Sequence, residues 1–263
     1  MRRTVPLLLA AVLAVGCADD AGTPDSAPAS SPPVASPSPT APSATTASPA
    51  PAPPAGSTPA RDRRLDRPLI RAARRGDADR VRSLLARGAS VRARDRTGAT
   101  ALVAAAYGNH VDVAAHLVGA GADVNRKDRT RQSAYLIATS EVGDDPRLLQ
   151  LTLSAGADVR SLDRFDGTGL IRAAERGNVD IVRRLLATDI RIDHVNNLGW
   201  TALHEAVILG DGGRRYVRTV RLLVRAGADV NKPSRHDGVR PLQHAERRGY
   251  GRIAAVLRAA GAR

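Results

Sequence analysis

Large aromatic side chains are almost missing from this chain. Its 263 residues include four Tyr, one Phe and one Trp, and a single Met. One big globular core normally leans on aromatics, each of which buries about 150–250 Å². Their scarcity argues for thin layers of short Ala- and Leu-rich helices instead. Cysteine is represented by Cys17 alone, so no intrachain disulfide can form and thiolate-rich metal sites are excluded. Lysine is equally rare: Lys127 and Lys232 stand against 38 Arg. No Gly-rich phosphate loop ending in Gly-Lys-Ser/Thr occurs, and no Gly-x-Ser-x-Gly elbow.

What is present is charge of one sign, unevenly placed. The formal net charge is +14. Residues 18–60 carry three Asp and no base, whereas 38 bases face 23 acids from Arg61 onward, a balance of +15. Such a body suits a polyanionic partner. A GC-rich coding genome, which enriches Arg and Ala together, gives the same bias.

The first seventeen residues read as an address. Arg2 and Arg3 form a positive start, an apolar run follows from Val5 to Val15, and Gly16-Cys17 closes it. The run is too short to span a membrane, which takes about 20 residues, and matches a signal-peptide core. Ala14-Val15-Gly16-Cys17 resembles the lipobox of bacterial lipoproteins, although Leu is commoner at the Ala14 position. The resemblance implies diacylglyceryl attachment at Cys17, and stable anchoring by at least two acyl chains. An ordinary secretory signal with a chance cysteine is the alternative. Residues 18–63 are expected to be a disordered linker. Twelve of the 17 prolines lie in 18–60, and such a segment has little to bury against its ordering entropy. Extended at about 3.1 Å per residue, it would reach on the order of 130 Å.

The rest repeats itself. Leu69, Leu102, Tyr135, Leu170, Leu203 and Leu242 recur at spacings of 33, 33, 35, 33 and 39. Gly88-Ala89, Gly121-Ala122, Gly156-Ala157, Gly227-Ala228 and Gly261-Ala262 keep the same period. Each unit predicts two short helices. In the second, Thr100 caps the first helix, the Val111–Gly119 stretch has an apolar face at helical spacing, and Gly121 ends it. Neither helix can bury its face alone, so neighbours must stack.

Asp95-x-x-Gly98-x-Thr100-Ala101-Leu102, Ala105-Ala106-x-Gly108-Asn109, Gly121-Ala122-Asp123-Val124-Asn125 and Thr201-Ala202-Leu203-His204 resemble the ankyrin repeat. The resemblance implies an all-α ankyrin solenoid of six helix-turn-helix repeats with hairpin fingers. The repeats are placed at about 64–94, 95–127, 128–162, 163–195, 196–233 and 234–263. Two departures predict irregular fingers: Arg131 stands where the third hairpin wants its Gly, and Asp166-Gly167 shifts the Gly by one in the fourth. The extra residues of repeat three, near Gly143–Pro146, and five in repeat five, near Asp211–Arg215, are assigned to turns between paired helices.

Candidates for chemistry are few. His204-Glu205 stands out, but five of six repeats lack that imidazole, so the resemblance assigns it to a network tying helix start to hairpin. His236, Asp237 and His244 fall short of a zinc site, which needs three or four converging ligands. Asp144-Asp145 suggests a cation, or an Asp145 cap with Pro146 at the first helical position. The chain is read as a non-enzyme with no cofactor and no metal. Scattered aromatics and export speak against nucleic acid.

The resemblance places partner contacts on finger tips and on exposed first-helix positions. On the fingers these are Arg96 and Ala99, Arg129 and Gln132, Arg164 and Phe165, Leu198 and Trp200, and His236 and Val239. On the first helices they are Arg74 and Arg75, Tyr107, Ser140, Glu175 and Arg176, Ile208, and Arg247 and Arg248. Tyr, Trp and Arg are enriched among residues that dominate binding energies. Phe165 and Trp200 equally suit packing between fingers. The expectation is a monomeric adaptor, lipid-anchored on the extracytoplasmic side of a membrane, that captures a protein partner through a concave face. Electrostatic binding to anionic wall polymer or lipid, and inhibition of a toxin or wall enzyme, are the alternatives.

Overall fold

A computed structural model describes residues 61–263. The signal peptide, Cys17 and most of the linker lie outside the described residues. The described part forms one compact unit of twelve α-helices after a 3-10 turn, Arg63–Leu65, with no strand. They pair as α1 (Asp66–Arg75) with α2 (Ala78–Ala86), α3 (Ala101–Tyr107) with α4 (Val111–Gly119), and α5 (Ala134–Ser140) with α6 (Pro146–Ser154). The second half pairs α7 (Gly169–Arg176) with α8 (Val179–Leu185), α9 (Ala202–Ile208) with α10 (Arg214–Arg225), and α11 (Pro241–Arg247) with α12 (Gly251–Ala259). Within the unit the first helices pack on one another in chain order, as do the second helices, giving two layers. Contacts begin before residue 64: the Asp62 N–H donates to the Gly88 carbonyl at 3.1 Å. No described helix is long and apolar enough to cross a membrane.

The core lies between the layers and runs unbroken from repeat to repeat. Leu69, Leu102, Tyr135, Leu170 and Leu203 are 0–1 % exposed, and the small Ala73, Ala106, Ala138, Ala174 and Ala206 that follow them are fully buried. Alanine at these positions lets first helices approach closely, which is why so few aromatics suffice. Each of α3, α5, α7 and α9 starts at Thr100, Ser133, Thr168 or Thr201, whose hydroxyl accepts from the backbone N–H three residues on. These caps serve N–H groups that have no partner within the helix.

Between repeats the chain makes a five-residue finger stem closed by one carboxylate or amide. Asp95, Asp128, Asp163 and Asn196 each accept, through one side-chain oxygen, the N–H groups two and four residues on, and their own N–H donates to the carbonyl four residues on. In repeat six Ser234 is too short for this. The turn gains a residue, the Ser234 N–H donates to Val239, and Asp237 becomes the acceptor. Asp128→Ala should therefore lower stability by about 1–2 kcal/mol, whereas Asp128→Asn, which keeps the acceptor, should stay within about 0.5 kcal/mol. Urea denaturation of both variants reads this out.

Two sequence expectations are corrected here. The fingers at Arg131 and Asp166 are not irregular. Both residues adopt left-handed backbone, with φ of 63° and 54°, because the Asp128 and Asp163 carboxylates hold the turn, at a cost on the order of 1 kcal/mol each. Arg131 and Asp166 stand 3.8 Å apart across that joint. Here no backbone bond joins the two fingers, whereas bonds run from Arg129 to Thr97, from Asn197 to Phe165 and from Arg235 to Gly199. Nor does the repeat-five insertion sit wholly in a turn. The turn spans 209–213, and α10 is twelve residues long where α4 has nine.

The repeat-three insertion does occupy a turn. Asp145 caps α6 ahead of Pro146, and its carboxyl is held well below the usual carboxylate range by the Arg147 guanidinium and backbone N–H. Asp144 reaches the next repeat and accepts from the Asp180 and Ile181 N–H groups at 2.8 and 3.1 Å. It thereby serves α8, whose own Asn178 makes no side-chain cap.

Candidate partner-binding face

Finger stems and first-helix ends form one continuous surface because polar contacts tie them together. Arg74, at the end of α1, reaches Asp95 of the next finger at 2.6 Å. The Tyr107 hydroxyl, at the end of α3, donates to Asp128 at 3.2 Å. Arg176, the last residue of α7, lies 3.9 Å from Glu141 at the end of α5 and so ties neighbouring first-helix ends together. The exposed ends of α1 and α3 therefore lie beside the fingers that follow them.

Among the described residues four large apolar side chains are exposed: Tyr107 (47 %), Phe165 (38 %), Leu198 (46 %) and Leu209 (49 %). All four belong to fingers or first-helix ends. Phe165 and Leu198 occupy the same place in adjacent fingers, joined by the 3.0 Å bond from Asn197 to the Phe165 carbonyl. The Arg164 guanidinium sits 4.6 Å over the Phe165 ring. Leu209, one residue past α9, is not among the contact positions that the repeat resemblance marks. Its equivalents in other repeats are charged residues or Gly, and only alignment of helix ends would have marked it.

Among the expected contact residues, Arg74, Arg75, Arg96, Tyr107, Arg129, Arg164, Phe165, Arg176, His236 and Arg247 are exposed. Gln132 and Trp200 are half-buried. Ala99, Ser140, Ile208 and Val239 are buried and cannot meet a partner without rearrangement; they pack the stems and helices instead. Arg67, Arg71, Arg74 and Arg96 surround an opening of about 550 Å³ with Ile70 at its base and Asp95 as its one acidic lining residue. This end of the face is strongly positive.

Behind the face lies a buried polar cluster. Asp163 and Glu205 are 1 % and 3 % exposed, and Arg172 lies 3.3 Å from Asp163 and also pairs with Glu175. Asn196 donates to Glu205 at 2.7 Å, while the other Glu205 oxygen has no partner. Burial, reinforced by Glu175 and opposed by Asn196 and Arg172, raises the Glu205 pKa to about 7. His204 is fully buried, and its Nδ1 meets the Thr201 hydroxyl at 2.9 Å and N–H at 3.4 Å. This closes a reciprocal cap at the start of α9. Burial lowers the His204 pKa to about 4, so the ring is neutral. The cluster has the form of a structural joint: Asp163, His204 and Glu205 are turned inward and buried. Among the described residues no group of three or more His, Cys, Asp or Glu could hold a metal.

The family model for ankyrin repeats (3 copies) matches residues 57–128 and 136–234. This chain belongs to the ankyrin-repeat family. The ankyrin repeat protein YahD of Escherichia coli (strain K12) is 38 % identical over 192 residues, covering 73 % of this chain and 94 % of its own length. A crystal structure of an ankyrin repeat domain from Acinetobacter baumannii AYE superposes with a TM-score of 0.70 at 46 % identity, over 74 % of this chain and 98 % of that one. A second ankyrin repeat protein gives 0.67 at 33 % identity, over 72 % and 96 %. The matches cover 94–98 % of those chains, and in the two crystal structures such a stack is folded without a further domain. An ankyrin stack of this kind is a protein–protein interaction module.

Proposed function

We propose that the chain is a membrane-anchored, extracytoplasmic adaptor that binds a protein partner through its fingers and first-helix ends. The observation that carries the proposal is the placement of Tyr107, Phe165, Leu198 and Leu209. Among the described residues these are the exposed large apolar side chains, and they share one face with a surround of arginines. Protein interfaces combine an apolar, often aromatic, centre with a polar rim in which Arg is enriched. The backbone supports the same reading, because the fingers that carry Phe165 and Leu198 are fixed at their stems by Asp163 and Asn196. A rigid stem spares the ordering entropy that a floppy loop would lose on binding. The outward end of the assembly is supplied by the sequence alone: the signal-like residues 1–17, Cys17 and the Pro-rich tether.

Affinity purification from membranes with the full chain identifies the partner, and binding is then measured with purified components. Tyr107→Ser with Phe165→Ser should weaken binding by about tenfold or more, each truncated anchor costing on the order of 1–2 kcal/mol. Ala115→Ser and Gln150→Ser, exposed on α4 and α6, should leave it unchanged. Equal losses from both sets would remove the face from the case.

A further inference from the structure

The outer layer carries a second surface, confined to the last two repeats. Arg214, Arg218, Arg221 and Arg225 recur along α10 at helical spacing and are all exposed. With Val217 and Arg252 of α12, three of them line an opening of about 380 Å³ between the two helices. No Asp or Glu occurs between residues 212 and 228, or after Glu246. Among the described residues, none of these five arginines makes an ion pair. Nearby bases that do find acids are Arg183 with Asp180, Arg215 with Asp211 and Arg258 with Glu246.

Other outer helices are built differently. α2, α4 and α8 carry Asp79, Asp112 and Asp180 in their first turns, and α6 is capped by Asp145. α10 instead begins after Gly213 with no side-chain cap and places Arg214 and Arg215 in its first turn. Positive charge there opposes the helix dipole, and guanidiniums around one groove repel one another. Stability gives no reason for the arrangement; an anionic ligand would relieve both costs. The insertion that lengthens α10 creates the turn that bears these residues.

The chemistry of the patch narrows the ligand. Guanidinium forks grip phosphate oxygens two at a time. No exposed large apolar side chain lies on the outer helices, so the patch lacks both the stacking rings that bases need and the apolar centre of a protein interface. The stripe runs about 16 Å along α10 at 1.5 Å per residue, with α12 about 8–10 Å beside it. That is a patch in two dimensions, the form of a headgroup lattice. The sequence before residue 61 begins with a signal-like segment closed by Cys17, and the Pro-rich residues 18–60 that follow are long enough as a tether for the body to fold back to the membrane.

We infer that the α10–α12 surface docks on an anionic phospholipid bilayer through headgroup phosphates. The choice of a bilayer over another phosphate polyanion rests on the membrane-anchored reading above. Residues 61–263, which lack Cys17, are sedimented with vesicles of phosphatidylglycerol and phosphatidylcholine, and with vesicles of phosphatidylcholine alone, at about 0.1 M salt, where charges are screened beyond about 10 Å. Each arginine near a negative bilayer is worth roughly fivefold in partitioning. R218Q, R221Q and R252Q combined should therefore lose on the order of a hundredfold on the mixed vesicles, with an unchanged melting temperature. R67Q with R71Q, on the other face, should change partitioning far less. Undiminished binding of the triple variant, equal loss from both sets, or equal binding to neutral vesicles overturns the inference. So does binding to soluble wall polymer without binding to vesicles. Loss of vesicle binding with partner binding intact separates this surface from the finger face.

Discussion

Gly169→Ala is expected to destabilise the repeat body by about 1–2 kcal/mol, against the usual direction for this change in a helix. Alanine ordinarily gains up to about 1 kcal/mol over glycine there. At Gly169 a Cβ would lie 2.6 Å from the Tyr135 Oη, 2.9 Å from the Thr139 Cγ2 and 3.1 Å from the Tyr135 Cζ. Neither neighbour yields easily. Tyr135 is fully buried, and the Thr139 hydroxyl is held by the Leu136 carbonyl at 2.7 Å. Overpacking of this kind costs about 1–3 kcal/mol, which exceeds the propensity gain. The cause is visible in the register of the repeats. Tyr135 occupies the place filled by Leu102, Leu170 and Leu203, and Gly169 occupies that of Ala101, Ala134 and Ala202. The larger residue in one repeat is matched by the smaller in the next. Tyr135→Leu combined with Gly169→Ala should accordingly recover much of the loss. A coupling energy of at least about 1 kcal/mol in the double-mutant cycle is expected, measured by chemical denaturation; additivity would mean the two side chains do not share this space.

The second large effect is on the pH dependence of stability. Glu205 has its pKa raised from 4.5 to about 7. Between those values the folded state holds a proton that the unfolded state has released, so stability falls as pH rises through that window. His204 has its pKa lowered from 6.5 to about 4. Between those values the unfolded state holds the extra proton, so stability rises with pH and is lost as pH falls. The two slopes oppose each other from about 4.5 to 6.5, and this pair leaves the wild-type profile nearly flat there. Glu205→Gln removes the falling slope while keeping an acceptor for Asn196. The variant should gain stability relative to wild type as pH rises from 4.5 to 7, by about 2–3 kcal/mol at the upper end, one pKa unit being worth about 1.4 kcal/mol. Denaturation midpoints across that range test it. Parallel profiles for the two proteins would show that Glu205 is not a buried, neutral acid.

Much of this fold could be read from residues alone, for a physical reason. Leu69, Leu102 and Leu170 each sit in the same environment, so period and core position carry the same information. The caps at Thr100 and Asp145 were legible because a hydroxyl or carboxylate one place before an apolar helix has few other uses. What could not be read was local compensation. Arg131 and Asp166 break the glycine rule, but the turn is held from Asp128 and Asp163, several residues away. The division of the repeat-five insertion between turn and helix depends on α12 packing beside α10, which spacing does not encode. On the candidate face, exposure of Tyr107, Phe165 and the arginines followed from register. The burial of Ser140 and Ile208 depended on how tightly adjacent first helices approach, which small side chains such as Ala104, Ala138 and Ala206 set.

Site-specific photo-crosslinking in cells tests most directly whether the finger face is where a partner is captured. A photoreactive phenylalanine is placed singly at Phe165, Tyr107 and Leu209, and at Ala115 and Gln150 on the outer helices. One shared protein adduct is expected from the first three positions and none of it from the last two. The same adduct from the outer positions, with none from Phe165, Tyr107 or Leu209, would contradict that expectation.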